Sequence, residues 1–195
     1  MRPLIASLLS LSLGFALAGC DRQKAAEPQG EGPVASNAAA GMRSYPTGRL
    51  DRSHAGTPAP AVTFEDPQGR PITLAAFRGR PLLLNLWATW CAPCVVEMPA
   101  LDSLAQREGD RLRVLTVSQD LNGRQKVTDF FRQRPFRLLE PFLDPQMGVM
   151  TELRLDTLPT TILYDSQGRE VWRMTGMAEW GDQRTTRLLA EAEAG

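Results

Sequence analysis

The chain has 195 residues, 43% of them hydrophobic, which is enough for the core of one domain with appended segments. Lys and Arg together number 22, as do Asp and Glu, so no basic excess is present to attract nucleic acid. The three cysteines are too few for a disulfide-stapled scaffold or a four-cysteine zinc site. Each cysteine therefore needs its own explanation.

The chain begins with the features of an export signal. Arg2 is followed by an apolar run over residues 4–18, which is shorter than the roughly 20 residues of a membrane-spanning helix. The run closes with Leu17-Ala18-Gly19-Cys20, which resembles the lipobox of bacterial lipoproteins. We therefore expect a signal peptide over residues 1–19 and lipidation of Cys20 after cleavage. An ordinary secretory signal with a coincidental cysteine is the alternative.

Residues 20–60 are expected to be the lipidated cysteine and a disordered tether, because they are rich in Ala, Gly, Pro, Ser and Gln without apolar periodicity. Such a tether spans roughly 35 Å. Asp21 follows the cysteine and resembles the signal that keeps enterobacterial lipoproteins at the inner membrane. The predicted location is therefore the inner membrane, facing the periplasm. His54, the only histidine, is interpreted as a solvated spacer residue rather than a functional group.

Residues 61–195 alternate predicted strands and helices and are expected to form the folded domain. The nearly continuous apolar run over residues 82–87 is typical of a strand buried on both faces of a sheet. The other predicted strands cover residues 62–64, 71–74, 112–117, 161–164 and 171–174, and the predicted helices cover residues 93–106, 125–134, 147–153 and 182–192. This order predicts an α/β fold whose mixed sheet is covered on both faces.

The sequence Trp87-Ala88-Thr89-Trp90-Cys91-Ala92-Pro93-Cys94 stands where a predicted strand ends and a helix begins. Unpaired N–H groups at a helix N-terminus favour an anion, which lowers a cysteine pKa from about 8.5 to roughly 3.5–7.5. Cys91 is therefore predicted to be a nucleophile, and Cys94 is placed to resolve a mixed disulfide formed there. Pro93 suits the first turn, where its missing N–H has no helical partner.

Half of a metal site is the alternative interpretation of Cys-x-x-Cys. Zinc needs about four ligands, and neither Cys20 nor His54 is a plausible completion, so no metal is predicted. No phosphate-binding glycine loop or dinucleotide fingerprint is present, and no cofactor is expected. A metallochaperone that holds Cu(I) between Cys91 and Cys94 stays open as an alternative.

The motif resembles the thioredoxin superfamily and, within it, the TlpA/ResA/DsbE-like branch of membrane-anchored extracytoplasmic reductases, over nearly all of residues 61–194. The branch typically has a glutamate and a proline after Trp-Cys-x-x-Cys, and Glu97 and Pro99 occupy those places. The resemblance implies a thioredoxin-like fold, with a mixed central sheet flanked by helices, an N-terminal hairpin and a central strand-helix insertion. We expect residues 134–155 to belong to that insertion.

A second landmark of the superfamily is a cis-proline that faces the cysteines, and Leu158-Pro159-Thr160 before the predicted strand at residues 161–164 matches it. Cis peptide bonds are essentially confined to X-Pro. The resemblance implies that Pro159 leaves the backbone of Leu158 free to pair with a substrate peptide and keeps metal ions off the thiols. An ordinary trans-proline at a strand start is the alternative.

Glu97 is interpreted as a catalytic proton shuttle. Thioredoxin has a buried aspartate six positions before its first cysteine, whereas this chain has Asn85, whose amide cannot take up a proton. Glu97 lies three residues after Cys94 and therefore on the same helix face. A partly buried carboxylate there has a raised pKa and can move the proton. A solvated glutamate that merely suits the early helix is the alternative.

The two tryptophans of the motif are assigned different places. Trp90 is predicted to lie at the rim of the site, in an apolar substrate-docking surface with Ala92, Pro93 and Leu158. Trp87 is predicted to belong to the core.

The predicted function is an extracytoplasmic protein-disulfide reductase that works by dithiol-disulfide exchange at Cys91 and Cys94. The resemblance suggests client proteins with cysteine pairs, in cytochrome c maturation or in copper-site assembly of an oxidase. Because export implies an oxidising compartment, a reducing role requires a membrane electron donor of the DsbD or CcdA kind. A disulfide-forming oxidase is the second enzymatic alternative, since Ala92-Pro93 does not fix the potential.

Overall fold

The computed structural model describes residues 48–193, so the predicted signal peptide, Cys20 and the predicted tether up to residue 47 lie outside the described residues. Strands and helices follow each other along the chain in a regular alternation. They are β1 Arg49–Asp51, β2 Thr63–Glu65, β3 Pro71–Thr73, β4 Leu82–Trp87, α1 Ala92–Glu108, β5 Arg113–Ser118, α2 Arg124–Gln133, β6 Phe142–Leu143, α3 Gly148–Glu152, β7 Thr160–Tyr164, β8 Glu170–Thr175 and α4 Gln183–Ala190. Short 3-10 turns cover Leu74–Phe77 and Glu191–Glu193.

The strands form one mixed sheet in the order β1-β8-β7-β4-β5-β6-β2-β3. β4 is parallel to β5 and antiparallel to β7. Its six side chains are all buried, because each face of the sheet carries a core. Leu83 and Trp87 belong to the core beneath α1, α2 and α4, called here the first core. Leu84 and Leu86 belong to the core beneath α3. The predicted mixed sheet flanked by helices is therefore confirmed.

The predicted boundary between tether and domain at residue 61 is wrong. β1 pairs antiparallel with β8, where Leu50 lies opposite Met174, and Leu50 packs against the first core. Pro58 adds an isolated bridge to Arg169. The folded domain therefore includes residues 48–60. A strand of three residues is too short for a periodicity search, and its partner strand lies more than a hundred residues away in sequence.

His54 consequently lies in the folded domain rather than in a tether. It occupies an exposed turn after β1, in which the N–H of Gly56 donates to the carbonyl of Glu170 at 2.7 Å. The turn is thus fastened to β8, and the histidine side chain faces solvent.

The insertion implied by the resemblance is present as β6 and α3. β6 runs parallel to the end of β5 and pairs with β2 through Leu143 and Glu65. This arrangement joins the N-terminal hairpin, β2 and β3, to the central sheet. Asp144 then accepts hydrogen bonds from the N–H groups of Gly148 and Val149 at 3.0 and 2.7 Å, which satisfies unpaired donors at the start of α3.

Three elements end or begin at one end of the sheet and thereby place the site. β4 ends at Trp87, and α1 begins at Ala92 after a loop of four residues. β7 begins nearby, because Thr160 lies opposite Leu86 in the register. The segment before Thr160 therefore lies beside the loop that leads from β4 into α1.

Candidate active site

A disulfide joins Cys91 and Cys94 at the start of α1, with their Cα atoms 5.3 Å apart. Cys91 is the N-cap residue, and its Sγ accepts a hydrogen bond from the N–H of Cys94 at 3.3 Å. Cys91 is 5% exposed, whereas Cys94 is fully buried. A protein partner can therefore approach the sulfur of Cys91, and Cys94 is reached only through it.

The loop before Cys91 is fastened by a carboxylate that the sequence analysis did not single out. Asp120 accepts hydrogen bonds from the N–H and the hydroxyl of Thr89 at 2.8 and 2.7 Å, and from the hydroxyl of Ser118 at 2.7 Å. Gly123 packs so close that a Cβ there would lie 2.3 Å from the Cβ of Asp120. The sequence does contain a signal for Asp120, because polar residues at the carboxyl end of a strand parallel to β4 are expected to lie next to the site.

Glu97 lies one turn along α1 from Cys94 and is 3% exposed. The Nδ2 of Asn85 donates to its Oε1 at 2.9 Å. Its Oε2 accepts from the Nε1 of Trp180 at 3.3 Å and from the N–H of Ala178 at 3.4 Å. The carboxyl group is therefore held by β4 and by the segment between β8 and α4. Sequence reasoning missed Trp180 and Ala178, which are brought to the site only by tertiary packing.

Burial raises the pKa of Glu97 from 4.5 to about 7, although the hydrogen bonds from Asn85, Trp180 and Ala178 oppose the shift. Removal from water penalises the charged carboxylate more than these three donors stabilise it. A group with this pKa changes its protonation near neutral pH, as a proton shuttle requires.

The Leu158–Pro159 peptide bond is cis. The carbonyl of Pro159 accepts from the N–H of Gly176 on the β8 side at 2.9 Å, while Leu158 is half-buried and packs against both cores. The structure thus places Pro159 at the start of β7, beside the loop that carries Cys91.

The surface around the disulfide is apolar and exposed. Trp90 is 69% exposed, and two further apolar residues near the site, Val96 and Leu121, are 56% and 60% exposed. Ala92 is exposed and Pro93 is half-buried. Trp87 is fully buried in the first core, as predicted. Large exposed apolar side chains near a reactive cysteine are consistent with a protein-docking surface.

Residues 48–193 contain no group of three or more His, Cys, Asp or Glu side chains arranged to hold a metal ion. Within the same part of the chain, no helix combines the length and apolar character needed to cross a membrane.

The Redoxin family model matches residues 54–189 of the chain. The chain belongs to the Redoxin family. A thiol-disulfide oxidoreductase ResA from Geobacillus thermodenitrificans is 34% identical over 125 residues, which cover 62% of this chain and 69% of the relative. The thioredoxin-like protein YneN of Bacillus subtilis is 32% identical over 114 residues, which cover 58% of this chain and 66% of the relative. The chain thus spans about two thirds of the length of these curated relatives.

Solved structures support the same fold for this Redoxin-family protein. The exposed lipoprotein thioredoxin of Streptococcus pneumoniae superposes with a TM-score of 0.57 at 23% identity, covering 65% of this chain and 96% of that chain. Together with the ResA likeness and the Cys91–Cys94 pair, these findings confirm a TlpA/ResA/DsbE-like thiol-disulfide oxidoreductase with a thioredoxin-like fold. Such enzymes act on client proteins that contain cysteines.

Proposed function

We propose that this oxidoreductase reduces client disulfides outside the cytoplasm, with Cys91 as nucleophile, Cys94 as resolving cysteine and Glu97 as proton shuttle. The observation that carries the proposal is the buried carboxyl group of Glu97, whose pKa is about 7, one helical turn from the buried Cys94. A thiol that is shielded from water needs a nearby base before it can attack.

The exchange begins with the reduced enzyme. The Cys91 thiolate attacks one sulfur of the client disulfide, the client S–S bond breaks, and a mixed disulfide forms while the other client sulfur leaves as a thiolate. Glu97 then takes the proton of Cys94, whose thiolate attacks the Cys91 sulfur. The second client sulfur leaves, and the enzyme retains the Cys91–Cys94 disulfide. Two electrons have passed to the client.

The docking surface for the client consists, in this proposal, of Trp90, Ala92, Pro93, Leu158 and Pro159. The exposed indole of Trp90 offers apolar area next to Cys91. The half-buried Leu158 precedes the cis-proline at the start of β7, where a client peptide can pair with free backbone groups. Together these contacts present a client disulfide to the more accessible of the two sulfurs.

The lipobox-like sequence supports anchoring by lipid on Cys20 at the inner membrane, facing the periplasm. One relative by structure is an exposed lipoprotein thioredoxin. In an oxidising compartment, the Cys91–Cys94 disulfide must be reduced again after each turnover. A membrane electron donor of the DsbD or CcdA kind would supply these electrons, and client proteins would come from cytochrome c maturation or copper-site assembly.

Trapping with Cys94→Ser tests the function. The variant should hold clients as mixed disulfides at Cys91, because the resolving sulfur is gone. Cys91→Ser, the matched control, should trap nothing. Tight Cu(I) binding by the wild type without trapped clients would favour the metallochaperone instead.

The direction of exchange is tested by the reduction potential. A value near that of thioredoxin, about −270 mV, agrees with a reductase, and one near about −120 mV identifies a disulfide-forming oxidase.

A further inference from the structure

A cavity of about 510 Å³ lies beside the amino-terminal half of β5. Its walls come from β5, the carboxyl end of α1 and the segment that leads into β6. Val117 and Ser118 are the only residues of β5 that pair with β6. Residues 113–116 therefore have no neighbouring strand on this side within the described part of the chain.

This free edge of β5 belongs to buried residues. The N–H of Arg113 donates toward β4, to the carbonyl of Pro81 at 2.9 Å. Since backbone N–H groups alternate in direction along a strand, those of Val114 and Thr116 point to the cavity side. Val114 is 8% exposed and Thr116 is 1% exposed. Backbone donors in such positions are almost always paired, and carbonyl oxygens of a bound segment would satisfy both of these N–H groups.

The side chain of Thr116, at the same edge of β5, can form a further hydrogen bond. The Oγ1 of Thr116 is buried and has no hydrogen-bond partner among residues 48–193, and Thr116 lines the cavity. A buried hydroxyl without a partner is unfavourable. This is a second observation, independent of the strand edge, that points to a polar occupant.

Three arginines, Arg80, Arg113 and Arg137, line the cavity together with the acidic residues Asp110 and Glu140. Arg80 is already paired with Asp110 at 3.4 Å. Arg113 is half-buried, its guanidinium carbon lies 5.8 Å from the ring centroid of Phe77, and it forms no ion pair within the described residues. Burial and the nearby charge of Arg80 lower the pKa of Arg113, while the exposed Glu140 acts against them. The guanidinium therefore lacks a close anion.

We propose that this cavity binds an extended acidic segment of a partner protein, which adds to the free edge of β5 and places a carboxylate between Arg80 and Arg113. An added strand supplies carbonyl oxygens to the N–H groups of Val114 and Thr116. Its acidic side chain supplies the anion that Arg113 lacks. A free inorganic anion would form an ion pair with the arginines but would leave the N–H groups of the strand edge without acceptors.

The proposed site is separate from the disulfide. β5 is parallel to β4, and β4 ends at the loop that carries Cys91, so the amino-terminal half of β5 lies at the opposite end of the sheet. A segment bound there leaves the active-site surface free. The inference therefore depends neither on the identity of the client nor on the direction of exchange.

Peptide binding to the full chain tests the proposal. The probe is a fluorescent peptide of about eight residues with alternating Glu and Val, and its Kd is measured by fluorescence anisotropy. A Lys-Val peptide controls for charge, and a Glu-Val peptide with alternate backbone nitrogens methylated controls for strand addition. We expect both control peptides to bind about tenfold more weakly than the Glu-Val peptide.

Variants locate the binding. Arg113→Gln and Arg80→Gln should each weaken binding of the Glu-Val peptide about tenfold, and either one suffices if the other fails to fold. Arg132→Gln, which removes an exposed arginine of α2, should bind as the wild type does. Thiol exchange should be unchanged in all three variants.

Three outcomes would overturn the proposal: equal binding of the Lys-Val peptide, insensitivity to backbone methylation, or unchanged binding in the folded arginine variants. Displacement by inorganic phosphate together with insensitivity to methylation would identify an anion site without strand addition, which also contradicts it.

Discussion

The Nδ2 of Asn85 donates to the Oε1 of Glu97 at 2.9 Å, which links the strand before the disulfide to the helix after it. The same amide nitrogen donates to the Oγ1 of Thr161 on β7 at 3.0 Å. One side chain therefore ties together β4, α1 and β7. The ionisation of Glu97 is consequently coupled to the packing of the elements that place Cys94 and Pro159.

Glu97→Gln should change how stability depends on pH. Below pH 4.5, Glu97 is protonated in both the folded and the unfolded wild-type protein. Between about pH 4.5 and 7 it is protonated only in the folded state, because folding raises its pKa to about 7. Stability contributed by this group is therefore lost as pH rises through that window, by on the order of 3 kcal/mol. Urea unfolding of the oxidised protein should show this loss in the wild type and not in Glu97→Gln.

The matched control for stability is Glu179→Gln, which neutralises an exposed glutamate in the segment between β8 and α4. It should follow the wild-type pH profile. A Glu97→Gln protein that loses as much stability as the wild type between about pH 4.5 and 7 would contradict the raised pKa.

Glu97→Gln should also slow the resolving step of exchange. The mixed disulfide at Cys91 forms as in the wild type, but Cys94 loses the base that takes its proton, so release should slow about a hundredfold near neutral pH. Stopped-flow reduction of a peptide disulfide separates the two steps. If mixed-disulfide formation slows while release does not, the role given to Glu97 is wrong.

Asn85→Asp should raise the upper apparent pKa of the site above 7. The substitution removes the amide donor that lowers the Glu97 pKa and puts a second carboxyl group beside the first. Like charges at this distance cannot both ionise easily, so the two groups titrate as a coupled pair. Carbon NMR of the labelled carboxyl groups measures the shift, and an unchanged upper pKa would exclude direct coupling.

Most of the elements around the site could be predicted from the sequence, because local signals determine them. The apolar run of β4 and the proline in the first turn of α1 locate the strand-to-helix junction. Glu97 could be chosen by helical spacing alone. Trp180 could not, since it reaches the carboxyl group only through the packing of the segment after β8 against α1.

The start of the domain, by contrast, could not be predicted from the local sequence. Leu50 is one apolar residue in a stretch rich in Gly, Pro and polar residues, which is the composition of a tether. It becomes part of a strand because the edge of β8 offers hydrogen bonds and the first core accepts its side chain. Neither partner is visible in the local sequence.

Thr89→Val should weaken the loop that carries Cys91. The substitution removes the hydroxyl that donates to Asp120 at 2.7 Å and keeps the side-chain shape, so the free energy of unfolding should fall by about 1–3 kcal/mol. Exchange should slow as the loop loosens. Thr186→Val removes an exposed hydroxyl on α4 and serves as the control. Equal effects of the two substitutions on exchange would show that the Thr89–Asp120 contact does not position the nucleophile.

Removal of β1 should destabilise the domain. A chain that begins at residue 61 lacks the pairing of β1 with β8, the packing of Leu50 and the hydrogen bond from Gly56 to Glu170. Its free energy of unfolding should be lower by on the order of 2–4 kcal/mol than that of a chain beginning at residue 44. Denaturant unfolding of the two chains measures the difference. Equal stability of the two chains would mean that residues 48–60 behave as a tether. A lower stability of the shorter chain would show that β1 belongs to the cooperatively folded domain.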